Sequence, residues 1–145
     1  MPGVKSYQDR IYSALVTFPL VGGVVAVGAV QSGSVTVQNF PFLCKRITHA
    51  IVGPNGLVVP VVLGSYQQDG QYRIRFRTDT HNYMNEPVQA IAGFGGGQFM
   101  PYLDLSAPVE MSPKETIQFD VINDAQRASE ITIQIVCHGV EPIEV

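Results

Sequence analysis

Hydrophobic and polar residues alternate along several short stretches of the chain. Every second residue is apolar between residues 71 and 79, between residues 116 and 121, and between residues 131 and 137. A period of two is typical of antiparallel strands with one buried face. Turn-forming sequences such as Gly53-Pro54-Asn55-Gly56 and Gln68-Asp69-Gly70 separate the stretches. The pattern predicts an all-β antiparallel sandwich of jelly-roll type, with roughly eight to ten short strands.

Other stretches show the two-residue alternation less clearly. Residues 42–52 are apolar at both parities, which predicts a strand that is central or covered on its outer side. Residues 20–38 predict two short strands around a turn at Gln31-Ser32-Gly33, and residues 57–63, which contain Pro60, predict an edge strand or a bulge. Shorter strands are expected at residues 87–92, 99–105 and 109–111, the last leading into a Ser112-Pro113-Lys114 corner.

The first 18 residues are predicted to form a short N-terminal arm, and residues 19–145 a single domain. The segment begins with Pro2 and Gly3, and residues 6–15 fit one or two helical turns with Ser6 as the cap. An edge strand and an arm lying on a neighbouring subunit are equal alternatives for the same residues.

Composition narrows the choice of partners. Charged residues make up 14% of the chain, against about 25% on average, which suggests that much of the surface contacts other protein. The net charge is −3 and the basic residues are spread out, so direct nucleic-acid binding is not expected. The most apolar stretch, residues 19–30, is shorter than the roughly 20 residues of a membrane span. With no secretory signal at the start, these features predict a soluble protein made in a cytoplasm.

No residue pattern points to catalysis or to a cofactor. His49, His81 and His138 lie far apart in sequence, so we expect no metal site. Cys44 and Cys137 lie in apolar strand sequence, which favours buried thiols, with a disulfide as the alternative. No motif of a hydrolase or metalloprotease is present. The protein is therefore not expected to be an enzyme.

A row of three arginines is the most distinctive charge pattern. The three arginines alternate with the apolar residues of the predicted strand at 71–79. They indicate a solvent-facing strand paired with residues such as Asp120 or Glu130. The alternative is contact with an acidic protein partner or a place inside an oligomer interface, where Arg is enriched. A glycine loop at residues 93–97 is expected at a surface or a subunit contact. The predicted partner-binding residues, taken from the arm, the row and the loop, are Tyr12, Phe18, Arg73, Arg75, Arg77 and Phe94.

The C-terminal half of the chain has a recognisable order of strands and corners: a strand, a proline-bounded corner, a strand ending in Asn, and a long strand closing in His-Gly. The residues that carry this pattern are Pro108, Pro113, Glu115, Phe119, Asn123, His138 and Gly139. In this pattern the sequence resembles the C-terminal half of small jelly-roll cement or decoration proteins of tailed-bacteriophage heads. The upstream Asn-Phe-Pro-Phe sequence at residues 39–42, followed by a mixed strand, is similar to them as well.

The resemblance implies a virion structural protein that binds between major capsid protein subunits and self-associates as a dimer or trimer. It would lie on the outer surface of a phage head and be assembled in the host cytoplasm, with no cofactor and no catalytic residue. The alternatives are a neck, tail or head-fibre base component, or a carbohydrate- or ligand-binding sandwich module. Sugars would then stack on Tyr66, Tyr72, Tyr83 and Tyr102. A cupin-like enzyme is the third class of protein considered.

Overall fold

The computed structural model describes residues 5–52, 71–80, 87–89, 103–128 and 130–144. Within these ranges the chain forms eight β-strands and no helix, which confirms the all-β prediction. The strands are β1 (Lys5–Phe18), β2 (Val30–Thr36), β3 (Phe42–Val52), β4 (Tyr72–Thr78), β5 (Val88–Gln89), β6 (Leu103–Met111), β7 (Thr116–Asn123) and β8 (Ile131–Glu144).

The strands are arranged in two antiparallel sheets. The first sheet has the order β1-β8-β3-β6 and the second has the order β2-β7-β4-β5. In the first sheet β1 pairs with β8 along its whole length, from Lys5 opposite Glu144 to Phe18 opposite Ile131. In the second sheet β7 lies between β2 and β4.

The inner faces of the two sheets share one apolar core. Alternation produces it directly, because the odd residues of β7 and the even residues of β4 face inward. Ring contacts join strands within each sheet: Phe76 stacks on Phe119 at 5.3 Å, and Tyr12 meets Phe42 edge-on at 4.9 Å. The largest fully buried side chains are Tyr72, Phe18, Phe42, Phe119, Ile47, Ile74, Met111, Ile117, Ile133, Ile135, Val16 and Val37.

Strand β3 is central, and a bulge explains its mixed pattern. Its register with both neighbours shifts between Cys44 and Arg46. The extra residue moves the inward parity from even to odd, so that Phe42, Cys44 and Ile47 are all buried. The inserted residue therefore accounts for part of the mixed pattern, and the burial of Val52 on the other parity accounts for the rest.

The prediction of helical turns at residues 6–15 is wrong, and the described part of the predicted arm, residues 5–18, belongs to the sheet. These residues form β1, the edge strand that was the alternative prediction. The physical reason is the period of two along Tyr12, Ala14, Val16 and Phe18, all of which are buried. Residues 5–18 are therefore part of the first sheet, and the division into an arm and a domain at residue 18 stays a prediction.

Of the other predictions for individual segments, one is wrong, one is confirmed and three concern residues outside the described ranges. The predicted turn at Gln31-Ser32-Gly33 is wrong, because these residues lie inside β2. The Ser112-Pro113-Lys114 corner is confirmed: Glu115 N donates to Ser112 O at 3.1 Å, and Lys114 adopts a φ of 69°. The expected edge strand at 57–63, the Gln68-Asp69-Gly70 turn and the glycine loop at 93–97 lie outside the described residues.

Candidate interaction surfaces

The arginine row lies on the outer face of the second sheet and forms ion pairs within the chain. Arg73 Nε lies 2.9 Å from Asp124 Oδ2, and Arg77 Nε lies 3.1 Å from Asp120 Oδ2. Arg75 is opposite Asp120 in the register of β4 and β7. Of the two acidic partners named from sequence, the structure uses Asp120, while Arg73 is paired with Asp124.

Asp120 is the centre of a polar network on this face. Its carboxylate accepts hydrogen bonds from Ser32 Oγ at 2.6 Å and Gln118 Nε2 at 3.0 Å, besides the contact with Arg77. Burial alone raises the pKa of this carboxyl, but the hydrogen bonds and the Arg77 charge outweigh burial and hold the pKa below its usual value. Two of the three arginines in the row are therefore paired with aspartates of the same chain.

The two predicted partner-binding side chains of β1 face the core. Tyr12 and Phe18 are buried, and the Tyr12 hydroxyl accepts a hydrogen bond from Gln38 N at 2.9 Å. Both side chains occupy the inward parity of the strand, and their role as partner contacts stays a prediction. Phe94 lies outside the described residues.

The connection between β1 and β2, residues 19–29, forms an ordered loop that we call the apical loop. Val21 and Val24 are joined by backbone hydrogen bonds of 2.9 and 3.4 Å across Gly22 and Gly23. Both glycines have positive φ, 64° and 82°, as a type I′ turn requires. The loop therefore begins with a two-residue hairpin turn.

Asn123, at the end of β7, anchors the apical loop to the second sheet. Its side-chain amide donates to Ala26 O at 2.9 Å and to Ala125 O at 2.7 Å, and its Oδ1 accepts from Arg127 Nε at 2.9 Å. The backbones of Val25 and Arg127 are joined by bonds of 2.8 and 3.0 Å, and the Val25 side chain is buried in the core. The loop is therefore held in place by the second sheet and by the core.

Apolar side chains nevertheless protrude from the apical loop. Val21 is 77% exposed and Val27 is 62% exposed, with Leu20 also exposed beside them. A fixed loop with apolar tips pays little ordering entropy when it contacts another surface. Clustered exposed apolar residues of this kind mark interaction sites more often than single ones do.

A second apolar feature lies on the outer face of the first sheet, along β1. Tyr7, Ile11 and Leu15 are 56%, 59% and 56% exposed, and we call them the β1 row. The free edge of β1 is partly closed by β2, because a Cβ on Gly33 would lie 2.6 Å from the Leu15 carbonyl oxygen. The row is therefore presented from the face of the sheet.

An open groove of about 560 Å³ lies on the same outer face, beside the β3 bulge. Its lining combines two cationic side chains with one carboxylate and several apolar groups. His138, on its wall, is held by a 3.0 Å contact between its Nε2 and Thr48 Oγ1. The lining residues are Asp9, Lys45, Arg46, Leu105, Pro108, His138, Gly139 and Val140.

The titratable core residues have structural surroundings. His49 Nδ1 meets the Tyr72 hydroxyl at 2.5 Å, whereas His81 lies outside the described residues. Cys44 and Cys137 are buried free thiols, and the hydrogen bond to Cys44, together with burial, raises the pKa of Cys137. Within the ranges that the structure covers, no three His, Cys, Asp or Glu side chains are placed to hold a metal ion.

Comparison with known proteins adds no relative: no protein-family model, curated protein or solved structure matches this chain. Among the described residues, no helix is long and apolar enough to cross a membrane.

Neither the apical loop nor the β1 row was predicted from the sequence as an interaction surface. The sequence signal for the apical loop was the Gly-Gly pair inside a valine-rich run, which is a hairpin turn signal. The signal for the β1 row was the even spacing of Tyr7, Ile11 and Leu15, which shows which parity of β1 faces outward once Tyr12 is placed in the core.

Proposed function

We propose that the two sheets form a jelly-roll sandwich. The antiparallel pairs β1–β8, β2–β7, β3–β6 and β4–β5 are those of one long hairpin whose turn lies between β4 and β5. Rolling that hairpin creates two further pairs, β3–β8 and β4–β7. These pairs support the jelly roll, an eight-stranded double-sheet fold used by viral capsid proteins, lectins and cupins.

On this fold we propose a virion structural protein that stabilises a phage head by binding between major capsid protein subunits. Its action is purely associative, with no catalytic residue or cofactor. A low content of charged residues supports extensive burial against other protein. Moderate contacts repeated around a capsid lattice add up through multivalency, so that each single contact need not be strong. The protein would then lie on the outer surface of the head after assembly in the host cytoplasm.

The apical loop is the observation that carries this proposal. It presents Val21 and Val27 from a backbone held by Asn123 and buried Val25, so it is organised before binding. An apolar tip of this kind fits a cleft between neighbouring capsid subunits, where the surrounding polar rim excludes water. The paired arginine row is less suited to this role, because binding an acidic partner would require breaking existing ion pairs.

The test is co-sedimentation with capsids assembled from the major capsid protein of the same genome. We expect the wild-type protein to sediment with the capsids and Val21→Asp to lose at least about tenfold in affinity, because a buried valine contact is replaced by a charge. Val21 is largely exposed in the isolated protein, so its substitution leaves the fold intact.

Phe40→Asp is the matched control. Phe40 is an exposed apolar residue in the β2–β3 connection, at the end of β2 away from the apical loop. We expect this variant to bind capsids like the wild type. Absence of wild-type binding would refute the capsid role, and equal losses in both variants would refute the assignment of the contact to the apical loop. A neck, tail or head-fibre base component would bind portal or tail assemblies in the same assay, and not capsids.

A carbohydrate- or ligand-binding module is the second candidate, favoured by the groove beside the β3 bulge. Its volume of about 560 Å³ lies within the range of small-molecule sites, roughly 300–1,000 Å³. The tyrosines expected to stack on sugars do not support this reading: Tyr72 is buried, and Tyr66, Tyr83 and Tyr102 lie outside the described residues. Binding on a glycan array that is lost in Arg46→Ala would favour this module over the capsid role.

A further inference from the structure

The β1 row has a symmetry that a second copy of this chain would match. Ile11 is the central residue, and Tyr7 and Leu15 each lie four positions from it on the same face of β1. A two-fold axis through Ile11 and perpendicular to the strand therefore places Tyr7 over Leu15 of the second copy. Asp9 falls over Ser13 of the second copy, so the two carboxylates do not meet.

The neighbouring strand repeats this match independently. Ile11 pairs with His138 on β8, so the same axis passes through His138. It places Val136 over Val140 of the second copy, and Gln134 over Pro142 of the second copy. All four side chains are half-buried on the outer face of the first sheet. On the two adjacent strands, the positions that the same two-fold operation exchanges are apolar except for Gln134, and this self-complementary pattern is what an isologous interface requires.

We propose that a second copy of this chain packs on the outer face of β1 and β8, with its two-fold axis at Ile11. Pairing of β1 edge to edge is disfavoured, because β2 lies against the Leu15 carbonyl at the free edge. The third strand carries Arg46 at the level of the axis. The contact is confined to β1 and β8, so the two copies of Arg46 lie at its rim, where salt screens the repulsion between their charges.

The size of the contact predicts a weak dimer. Strands β1 and β8 are each 14 residues long, which at about 3.3 Å per residue is roughly 46 Å. Two strands about 4.8 Å apart give a strip of roughly 450 Å² per copy. The total of about 900 Å² falls in the low class of specific interfaces. We therefore expect a dissociation constant between about 10 µM and 1 mM.

Sedimentation equilibrium over that concentration range is the first test. The wild-type protein is expected to follow a monomer–dimer equilibrium, and Ile11→Asp to weaken it by roughly tenfold or more, because the axis brings both aspartates together. The matched control is Val30→Asp on β2 of the second sheet, where Val30 is 55% exposed. This control is expected to dimerise like the wild type.

Cross-linking tests the register. Because packed sheets lie about 10 Å apart, a bismaleimide with a spacer of about 8 Å should link two copies of Ile11→Cys and leave Val30→Cys monomeric. Mixing Tyr7→Cys with Leu15→Cys should give more cross-linked dimer than either variant alone. The wild-type protein is the blank, since Cys44 and Cys137 are buried.

The proposed dimer does not depend on the capsid role, and each proposal can be refuted without the other. Val21→Asp is expected to dimerise normally while losing capsid binding. A wild-type protein that stays monomeric at 1 mM, or equal weakening by Ile11→Asp and Val30→Asp, would overturn the dimer. Trimers, or cross-links that do not favour the Tyr7–Leu15 pair, would overturn the two-fold axis at Ile11.

Discussion

Removal of the Asn123 side chain should weaken the attachment of the apical loop to the second sheet. The side chain is fully buried and makes three hydrogen bonds, two to the carbonyls of Ala26 and Ala125 and one from Arg127. Because this side chain is buried, Asn123→Ala leaves the outer surface unchanged and tests only the hydrogen bonds that attach the loop.

The expected loss follows from the bonds. Each neutral amide-to-carbonyl bond contributes about 1 kcal/mol net, and the bond from the guanidinium contributes about 1.5–3 kcal/mol. Asn123→Ala should therefore lower the free energy of unfolding by roughly 3–5 kcal/mol, a large part of the 5–15 kcal/mol typical of a domain. Asn123→Asp keeps the volume and the Arg127 contact, but it turns an acceptor toward two carbonyl oxygens. It should therefore be destabilising as well.

Urea-induced unfolding followed by circular dichroism measures both losses, with Asn39→Ala, an exposed asparagine, as the control expected to change stability by less than about 0.5 kcal/mol. A loss below about 1 kcal/mol in Asn123→Ala would show that the hydrogen bonds do not hold the loop. Wild-type stability in Asn123→Asp would show that the amide donors are not needed.

Three further predictions concern single residues. The pKa of Asp120 in the folded protein lies below its reference value of 3.8, so the stability that this carboxylate contributes is present above pH 3.8 and is lost as the pH falls through the folded pKa. Asp120→Asn should therefore remove this part of the acid dependence in urea titrations between about pH 2 and 5. An unchanged pH profile would contradict the assignment. Lys114→Gly should raise the free energy of unfolding by up to about 1 kcal/mol because it relieves the positive φ, whereas Lys114→Ala should give no gain; equal effects would rule out strain. Gly33→Ala should cost about 1–3 kcal/mol in thermal unfolding, since its Cβ would meet the Leu15 carbonyl, and a neutral result would mean that β2 can move away from β1.

The strands that sequence predicts well are those whose two faces differ consistently. β4 and β7 alternate apolar and polar residues along their length, because one face packs in the core and the other carries the arginine and aspartate pairs. For β3 the pattern could not be resolved from sequence, since one extra residue at the bulge moves the buried parity from Cys44 to Ile47, and Val52 at the end of the strand is buried on the other parity.

The first half of β1 was ambiguous for a different reason. Gln8 and Arg10 occupy the inward parity but are polar, and they reach Glu141 and Gln38. The alternation becomes apolar only from Tyr12 onward, which is why residues 6–15 also fitted a helix. The pairing of the arginines depends on contacts between distant strands, and sequence could name only some of the acidic partners.

The pairing of β1 with β8 has a consequence for how the chain acquires its structure. β1 emerges from the ribosome first of the eight strands and β8 last, yet each is the other's neighbour over 14 residues. The first sheet therefore cannot close before β8 has been synthesised, and contacts of such long sequence separation fold slowly, on the scale of milliseconds to seconds. Until β8 pairs with β1, the apolar face of β1 is exposed and can aggregate with other unfolded chains. Expression at low temperature or with chaperones should therefore improve the soluble yield.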